Sequence, residues 1–254
     1  MTVTLGTTWT SSAAQSRGTG SVYRPQQDSR LLIDAVRVSG CAPGARAADL
    51  CTGSGIVARE CAVLGAQSVL AVDSSPAAVE ATRRNCADVP APVTVMAVDL
   101  TVGWGAGGGL SALSGGAICR FDLVTCNPPY VPCAPNETDG GDGDVGDPRS
   151  SWDAGEDGRA ILDPLCDHAA DLLNTDGALF VVQSEFADVR RSVEALRRSG
   201  LRAGVVRSQW IPFGPVLRSQ ADWLENRGVL EPGRRVERIS VIRADKSETR
   251  RREV

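Results

Sequence analysis

The 254-residue chain carries 27 Lys and Arg against 31 Asp and Glu, a formal charge of -4, and 42% of its residues are hydrophobic. That length supports one sizeable core with appendages, and the acidic balance offers no general attraction for nucleic acid or an anionic membrane. The eight cysteines contain no CxxC pair, His168 is the only histidine, and no apolar run is long enough to span a bilayer or serve as a secretory signal; free thiols, no metal and a cytoplasmic location are the expectation.

In chain order, residues 1–21 are small, polar and without periodicity, and are expected to be a flexible N-terminal segment. Asp28 then precedes an apolar helical stretch with Leu31, Leu32, Ala35 and Val36. From Ala47 the pattern alternates between strands and helices. A strand at Ala47–Leu50 leads through Gly53-Ser54-Gly55 into a helix from Ile56 to Leu64. A second strand, Ser68–Val72, ends at Asp73, and Pro76 opens a helix to about Asn85. Strands follow at Val93–Val98, ending at Asp99, and at Asp122–Cys126.

A Gly-rich stretch, 103–117, and an acidic Gly/Asp-rich loop, 134–158, interrupt this rhythm. Helices near 160–174 and 187–199 then alternate with strands at Ala178–Val182, Arg202–Arg207 and Val236–Ile242. Repeated strand-helix units predict an α/β fold, a mostly parallel Rossmann-like sheet with helices on both faces. Residues 244–254 read as a charged, solvated tail.

The segment Asp49-Leu50-Cys51-Thr52-Gly53-Ser54-Gly55 places glycines where a strand becomes a helix, so that backbone can approach a ligand and the helix presents unpaired N–H groups. Alone this is equally a tight turn or a relaxed dinucleotide fingerprint. The acids Asp49, Asp73 and Asp99, at the ends of successive strands, should converge at the carboxyl edge of the sheet. That set suits an adenosine bearing a sulfonium and an amino acid: Asp73 for the ribose hydroxyls, Asp49 for the positive end, directly or through water, and Asp99 for the adenine amino group.

The fourth strand runs directly into Asn127-Pro128-Pro129-Tyr130. Two prolines stiffen the projection. The Asn127 side-chain oxygen and the Pro128 carbonyl can each accept an N–H from a planar NH₂ while Tyr130 packs on its face. A proline-rich turn closing a strand would explain Pro128-Pro129 by themselves.

These residues resemble the class I S-adenosylmethionine-dependent methyltransferases of the HemK-like release-factor glutamine methyltransferase family, in its short form without an N-terminal helical domain. The resemblance implies a seven-stranded class I sheet in a methyltransferase domain spanning 22–243 and S-adenosylmethionine as cofactor. Asn127 through Tyr130 match the catalytic motif, Asp49 through Gly55 the cofactor loop, Asp73-Ser74 the ribose-binding element and Asp99-Leu100 the adenine contact. Val22-Tyr23-Arg24-Pro25-Gln26-Gln27-Asp28-Ser29 resembles the short form's opening, with Gln27 in place of a glutamate. It implies that Tyr23, Pro25, Asp28 and Ser29 pack near the cofactor, to which Cys51, Thr52, Gly53 and Asn127 also contribute. Trp152 through Arg159 resembles the family's Trp-x-Gly-Gly-x-x-Gly-Arg, with Ala154 at the first glycine.

The implied acceptor is a protein glutamine amide, in a peptide-chain release factor, and some short-form relatives act with a small activator subunit. The residues also fit methylation of an adenine amino group in DNA or RNA or of a small-molecule amine, or a cofactor-binding partner without activity. A nucleic-acid reading would use Arg190, Arg191, Arg197, Arg198, Arg202 and Arg207 as a phosphate-facing surface, which a solvated helix face explains as well. Segment 210–218 reads either as a cap on the acceptor pocket or as packing around a turn.

Overall fold

A computed structural model describes residues 27–101, 104, 120–135 and 154–247. Tyr23 and Pro25, the stretch 105–119 with Cys119, the acidic run 136–151, Trp152-Asp153 and the tail from 248 lie outside the described residues. The described chain runs α1 (Gln27–Ser39), β1 (Arg46–Leu50), α2 (Ile56–Val63), β2 (Ser68–Asp73), α3 (Pro76–Asn85), β3 (Val93–Ala97) and β4 (Phe121–Cys126). It continues with α4 (Leu162–Leu172), β5 (Leu173–Ser184), a 3₁₀ turn (Glu185–Ala187), α5 (Val189–Arg198), β6 (Arg202–Pro212), α6 (Pro215–Ser219), α7 (Ala221–Asn226) and β7 (Val236–Asp245).

The seven strands form one sheet in the order β3-β2-β1-β4-β5-β7-β6. Pairing from β3 through β5 is parallel, and β7 is antiparallel to both of its neighbours, so it alone is reversed. The interior strands read as continuous apolar runs because both faces are covered. Their period-2 alternation divides the core. Leu50, Val124, Leu179 and Val181 face α4 and α5 in one cluster, and Leu123, Phe180, Val182 and Val241 face α1 and α2 in the other. Helices on both faces and the mostly parallel sheet are therefore as the sequence pattern predicts.

Several boundaries differ: β7 runs to Asp245, so Ala244 and Asp245, expected in the charged tail, are strand paired with β5 and β6, and two further shifts have an equally plain cause. The helix expected to reach 174 stops at Leu172, because Leu173 enters the sheet and pairs with Phe121. The strand expected to end at Arg207 continues to Pro212, because the ladder with β7 extends to the pair Pro212 and Val236. Trp210-Ile211-Pro212 is thus strand, and the short helices α6 and α7 follow it. Phe213, Leu217, Leu224 and Leu230 form a third small cluster, packed against Val131 and Phe186. Among the described residues all seven cysteines are free thiols, and no helix is long and apolar enough to cross a membrane.

Candidate active site

The strand order reverses between β1 and β4, and this switch point is where a doubly wound sheet leaves a crevice at the carboxyl ends of its strands. A cleft lies there with about 1210 Å³ of empty space, open solvent at its mouth included. The loop after β1, the end of β2, the start of α1 and the tetrapeptide after β4 line it together.

On the β1 side, the loop is built on Asp49, which is 1% exposed. Its Oδ2 accepts from Thr52 Oγ1 (2.6 Å) and the Ala58 backbone N–H (3.1 Å), and its Oδ1 accepts from Thr125 Oγ1 (2.7 Å). Burial pushes its pKa up to about 6 in spite of these three donors. Both oxygens are engaged by protein, so Asp49 shapes the turn and puts a carboxylate beneath it. Asp73 accepts from the backbone N–H groups of Gly53 (2.8 Å) and Ser75 (2.9 Å), tying the β1 loop to the end of β2, and burial raises its pKa.

The two glycines of the loop do different work. Gly53 has φ +56° and a Cβ added there would meet nothing within 4 Å; it borders the cleft. At Gly55, with φ +78°, an added Cβ would stand 2.7 Å from Thr82 Cγ2 and 3.0 Å from the Thr82 Cα, so this glycine lets α3 pack against the loop.

On the β4 side, the start of α1 meets the tetrapeptide. Asp28 and Ser29 are 2% and 4% exposed. Tyr130 OH donates to Asp28 Oδ2 (3.0 Å), and Asn127 Nδ2 donates to Ser29 Oγ (3.2 Å). The back of the tetrapeptide rests on Gly158, where an added Cβ would lie 2.4 Å from the Tyr130 carbonyl oxygen. The next residue, Arg159, is fully buried. It donates from Nε to Asp163 (2.8 Å), from one terminal nitrogen to the Ala187 carbonyl, and from the other to Ser192 Oγ (3.0 Å). Gly158-Arg159 thus clamps the Asn127–Tyr130 turn to α4 and α5. Cys133 N–H donates to the Gly155 carbonyl (3.1 Å), which brings the two ends of the acidic loop together.

The far wall comes from Ile211 and from Gly214 through Leu217, so segment 210–218 lines the cleft and also packs a small core. Ala134 N–H donates to Gln220 (3.1 Å), and Arg227 pairs with Glu156, which join this wall to the loop behind the tetrapeptide. Glu237, near the start of β7, completes it. Glu237 is 3% exposed, one of its oxygens has no hydrogen-bond partner, and burial raises its pKa to about 7. Among the described residues, the four acidic or basic side chains that line the cleft, Asp28, Asp49, Asp73 and Glu237, are all acidic. The arrangement suits a cationic ligand beside a planar N–H donor.

The cleft brings together Asp28, Ser29, Asp49, Cys51, Thr52, Gly53, Asp73 and Asn127 through Tyr130 from the sequence-predicted set. It does not include Gly55, Ser74, Asp99 or Leu100. Asp99 is exposed and accepts from Thr101 N–H (2.8 Å) and Oγ1 (2.6 Å), while Leu100 is buried in the core. Gly214 through Leu217 belong to the segment weighed as a cap on the pocket, whereas Ser75, Ala78 and Glu237 were not anticipated. Glu237 had a sequence signal: alternation along Val236-Glu237-Arg238-Ile239 puts an acid on the inward face with Ile239.

Among the described residues no cluster of His, Cys, Asp and Glu could hold a metal ion, and His168 stacks on Trp104 at 6.0 Å. Of the arginines weighed as a phosphate surface, Arg190 pairs with Glu194, Arg191 with Asp157 and Asp163, and Arg197 bonds the Ala203 carbonyl.

Comparison with known proteins agrees with this geometry. A family model for ribosomal protein L11 methyltransferase (PrmA) matches residues 32–102. The release factor glutamine methyltransferase of Mycolicibacterium smegmatis is 34% identical over 182 residues, 70% of this chain and 59% of that protein. Methyltransferase HEMK2 of Homo sapiens is 26% identical over 71% of this chain and 80% of its own length. The chain therefore spans less than two thirds of the bacterial relative. Among solved structures, the E. cuniculi Mtq2-Trm112 complex responsible for the methylation of eRF1 translation termination factor aligns with a TM-score of 0.55 at 17% identity. That alignment covers 89% of this chain and 99% of the other. Fold and sequence together identify the chain as a class I methyltransferase, with relatives among the HemK-like glutamine methyltransferases.

Proposed function

We propose that the chain methylates the side-chain amide nitrogen of a protein glutamine, with S-adenosylmethionine as donor and a cytoplasmic peptide-chain release factor as substrate. The observation that carries this reading is one cleft in which the Gly53 turn and Asp73 adjoin Asn127-Pro128-Pro129-Tyr130, with every charged lining group among the described residues acidic. When bound, S-adenosylmethionine supplies an electrophilic methyl group on a positively charged sulfur.

The chain's own residues then bind and orient. Gly53 lets the backbone lie against the ligand, and the Asp73 carboxylate keeps lone pairs for ribose hydroxyls beyond the two N–H bonds it accepts. Asp49 holds the turn and contributes negative charge below the sulfonium. The adenine end is assigned to Asp99-Leu100 and Ser74; both Thr101 bonds fall on Asp99 Oδ1, so its carboxylate keeps acceptor capacity for an amino group. Tyr23 and Pro25, which lie outside the described residues, are included as cofactor contacts on the family resemblance alone. Asn127 Oδ1 and the Pro128 carbonyl accept the two N–H groups of the acceptor, aligning its nitrogen and drawing off positive charge as the new bond forms. The acidic lining and the ion-paired arginines count against a polyanionic nucleic-acid substrate. A small activator subunit is included in the proposal by analogy with the relatives.

The test is transfer of labelled methyl from S-adenosylmethionine to release factor, glutamine peptide and nucleic acid, with and without an activator subunit, followed by mapping of the modified atom. Label on glutamine nitrogen is expected, and label on adenine would overturn the assignment. Asn127→Ala should retain donor binding and lose transfer.

A further inference from the structure

The amide of Asn127 is nearly symmetric in shape, and its two ends have opposite chemistry. Presented oxygen-first, it accepts from an acceptor NH₂; presented nitrogen-first, it sets donor against donor. Something must choose the end. Asp28 Oδ1 accepts the Ser29 backbone N–H at 2.6 Å, a bond whose direction cannot reverse. The same oxygen lies 3.3 Å from Ser29 Oγ, and an acceptor there commits the single hydroxyl hydrogen of Ser29. The Ser29 lone pairs are then left for Asn127, whose Nδ2 lies 3.2 Å away. On the other side, Asp28 Oδ2 accepts the Tyr130 hydroxyl at 3.0 Å.

We infer that Asp28 and Ser29 are positioning residues that fix the Asn127 amide with its oxygen toward the methyl acceptor. The role rests on the proposed transfer to a planar NH₂ for its catalytic consequence, but the orientation itself does not. All three groups are buried or half-buried, so water does not readily substitute for a missing link. The carboxylate thus reaches the reacting nitrogen through three hydrogen bonds, by way of Ser29 and Asn127, without touching it.

Three variants and one spectroscopic signal test this. In the full chain, Ser29→Ala removes the acceptor for Asn127 Nδ2. It should lower kcat at saturating donor about tenfold, the loss expected for one hydrogen bond that sets geometry. Asp28→Ala should do at least as much. Asp28→Asn should be milder, because the Ser29 backbone N–H holds an amide oxygen at the Oδ1 position. The side-chain NH₂ resonances of Asn127, assigned by their loss in Asn127→Asp, should shift in Ser29→Ala and Asp28→Ala and stay near their wild-type positions in Asp28→Asn. Unshifted resonances in Ser29→Ala and Asp28→Ala, or an Asp28→Asn variant as impaired as Asp28→Ala, would overturn the inference. If the variants show these shifts while the wild-type protein fails to methylate glutamine, the proposed substrate is refuted and the positioning role stands.

Discussion

Replacing Gly158 by alanine puts the clamp behind the catalytic turn under direct test. The residue has φ +72°, where a Cβ costs about 1–2 kcal/mol through contact with its own backbone. The added methyl would also stand 2.4 Å from the Tyr130 carbonyl oxygen, 3.0 Å from its carbon and 3.3 Å from Pro132 Cδ. The turn must therefore retreat by roughly 0.6 Å to bring the closest pair to 3.0 Å, the limit of observed Cβ contacts. Tyr130 has little room to do so, being held through its hydroxyl to Asp28 and flanked by Pro128, Pro129 and Pro132. Strain and overpacking together come to about 2–4 kcal/mol, a fall in Tm of roughly 5–10 °C for a chain of this size. Displacing Asn127 by even part of this shift should reduce kcat on the order of a hundredfold. Donor affinity should hardly change, because the β1 loop lies on the other side of the switch point. Calorimetric titration of the donor, a thermal melt and single-turnover transfer measure the three effects separately. A variant with wild-type Tm and wild-type kcat would show that Gly158 is not packed against Tyr130 as described.

The two loop glycines should separate in the same assays. Gly53→Ala should weaken donor binding with a stability loss of about 1 kcal/mol, whereas Gly55→Ala should mainly lower Tm through its collision with Thr82. Stability should also vary with pH. Asp49 at about 6 and Glu237 at about 7 lie above their ordinary values of 3.8 and 4.5. The folded state therefore holds protons that the unfolded chain has released. The stabilisation from those protons is full below the unfolded values and is lost as pH rises through 6 and 7, so Tm should fall between pH 5 and pH 8. Glu237→Gln should flatten that decline and raise Tm at pH 8; a steeper decline in the variant would contradict the burial assigned to this carboxyl group. At Arg159, substitution by Met removes the charge that joins Asp163 to the end of β5 and the start of α5. It should cost about 1–3 kcal/mol by chemical denaturation through the lost bonds to Ala187 and Ser192, since Asp163 keeps Arg191, and a cost near zero would refute the clamp.

Much of the site was legible because its signals are local. Short apolar runs ending in Asp49, Asp73 and Cys126-Asn127 mark parallel strands by themselves, and Gly53-Ser54-Gly55 marks the turn between strand and helix. What the chain does not announce is pairing at a distance. Residues 208–212 became strand because β7 offers them a ladder, although Pro212, Gly214 and Pro215 punctuate the segment as they would a loop. Asp99 lies two residues past the end of β3, whereas Asp73 is the last residue of β2 and pairs with Ala97, an offset that the succession of acids in the sequence does not report. Asp28 and Ser29 were visible through family resemblance, but their bonds to Tyr130 and Asn127 span about a hundred residues and belong to the assembled fold.

The bond between Cys133 and Gly155 gives the acidic segment a consequence of its own. It works as a collar. The chain leaves the catalytic turn and returns to it at one fixed point, with Gly158-Arg159 locked immediately beyond. Lengthening a loop whose ends are already held costs little, so the residues between can be inserted, deleted or recharged without moving Asn127. Sequence change between these two anchor points is therefore uncoupled from the position of the turn beneath them.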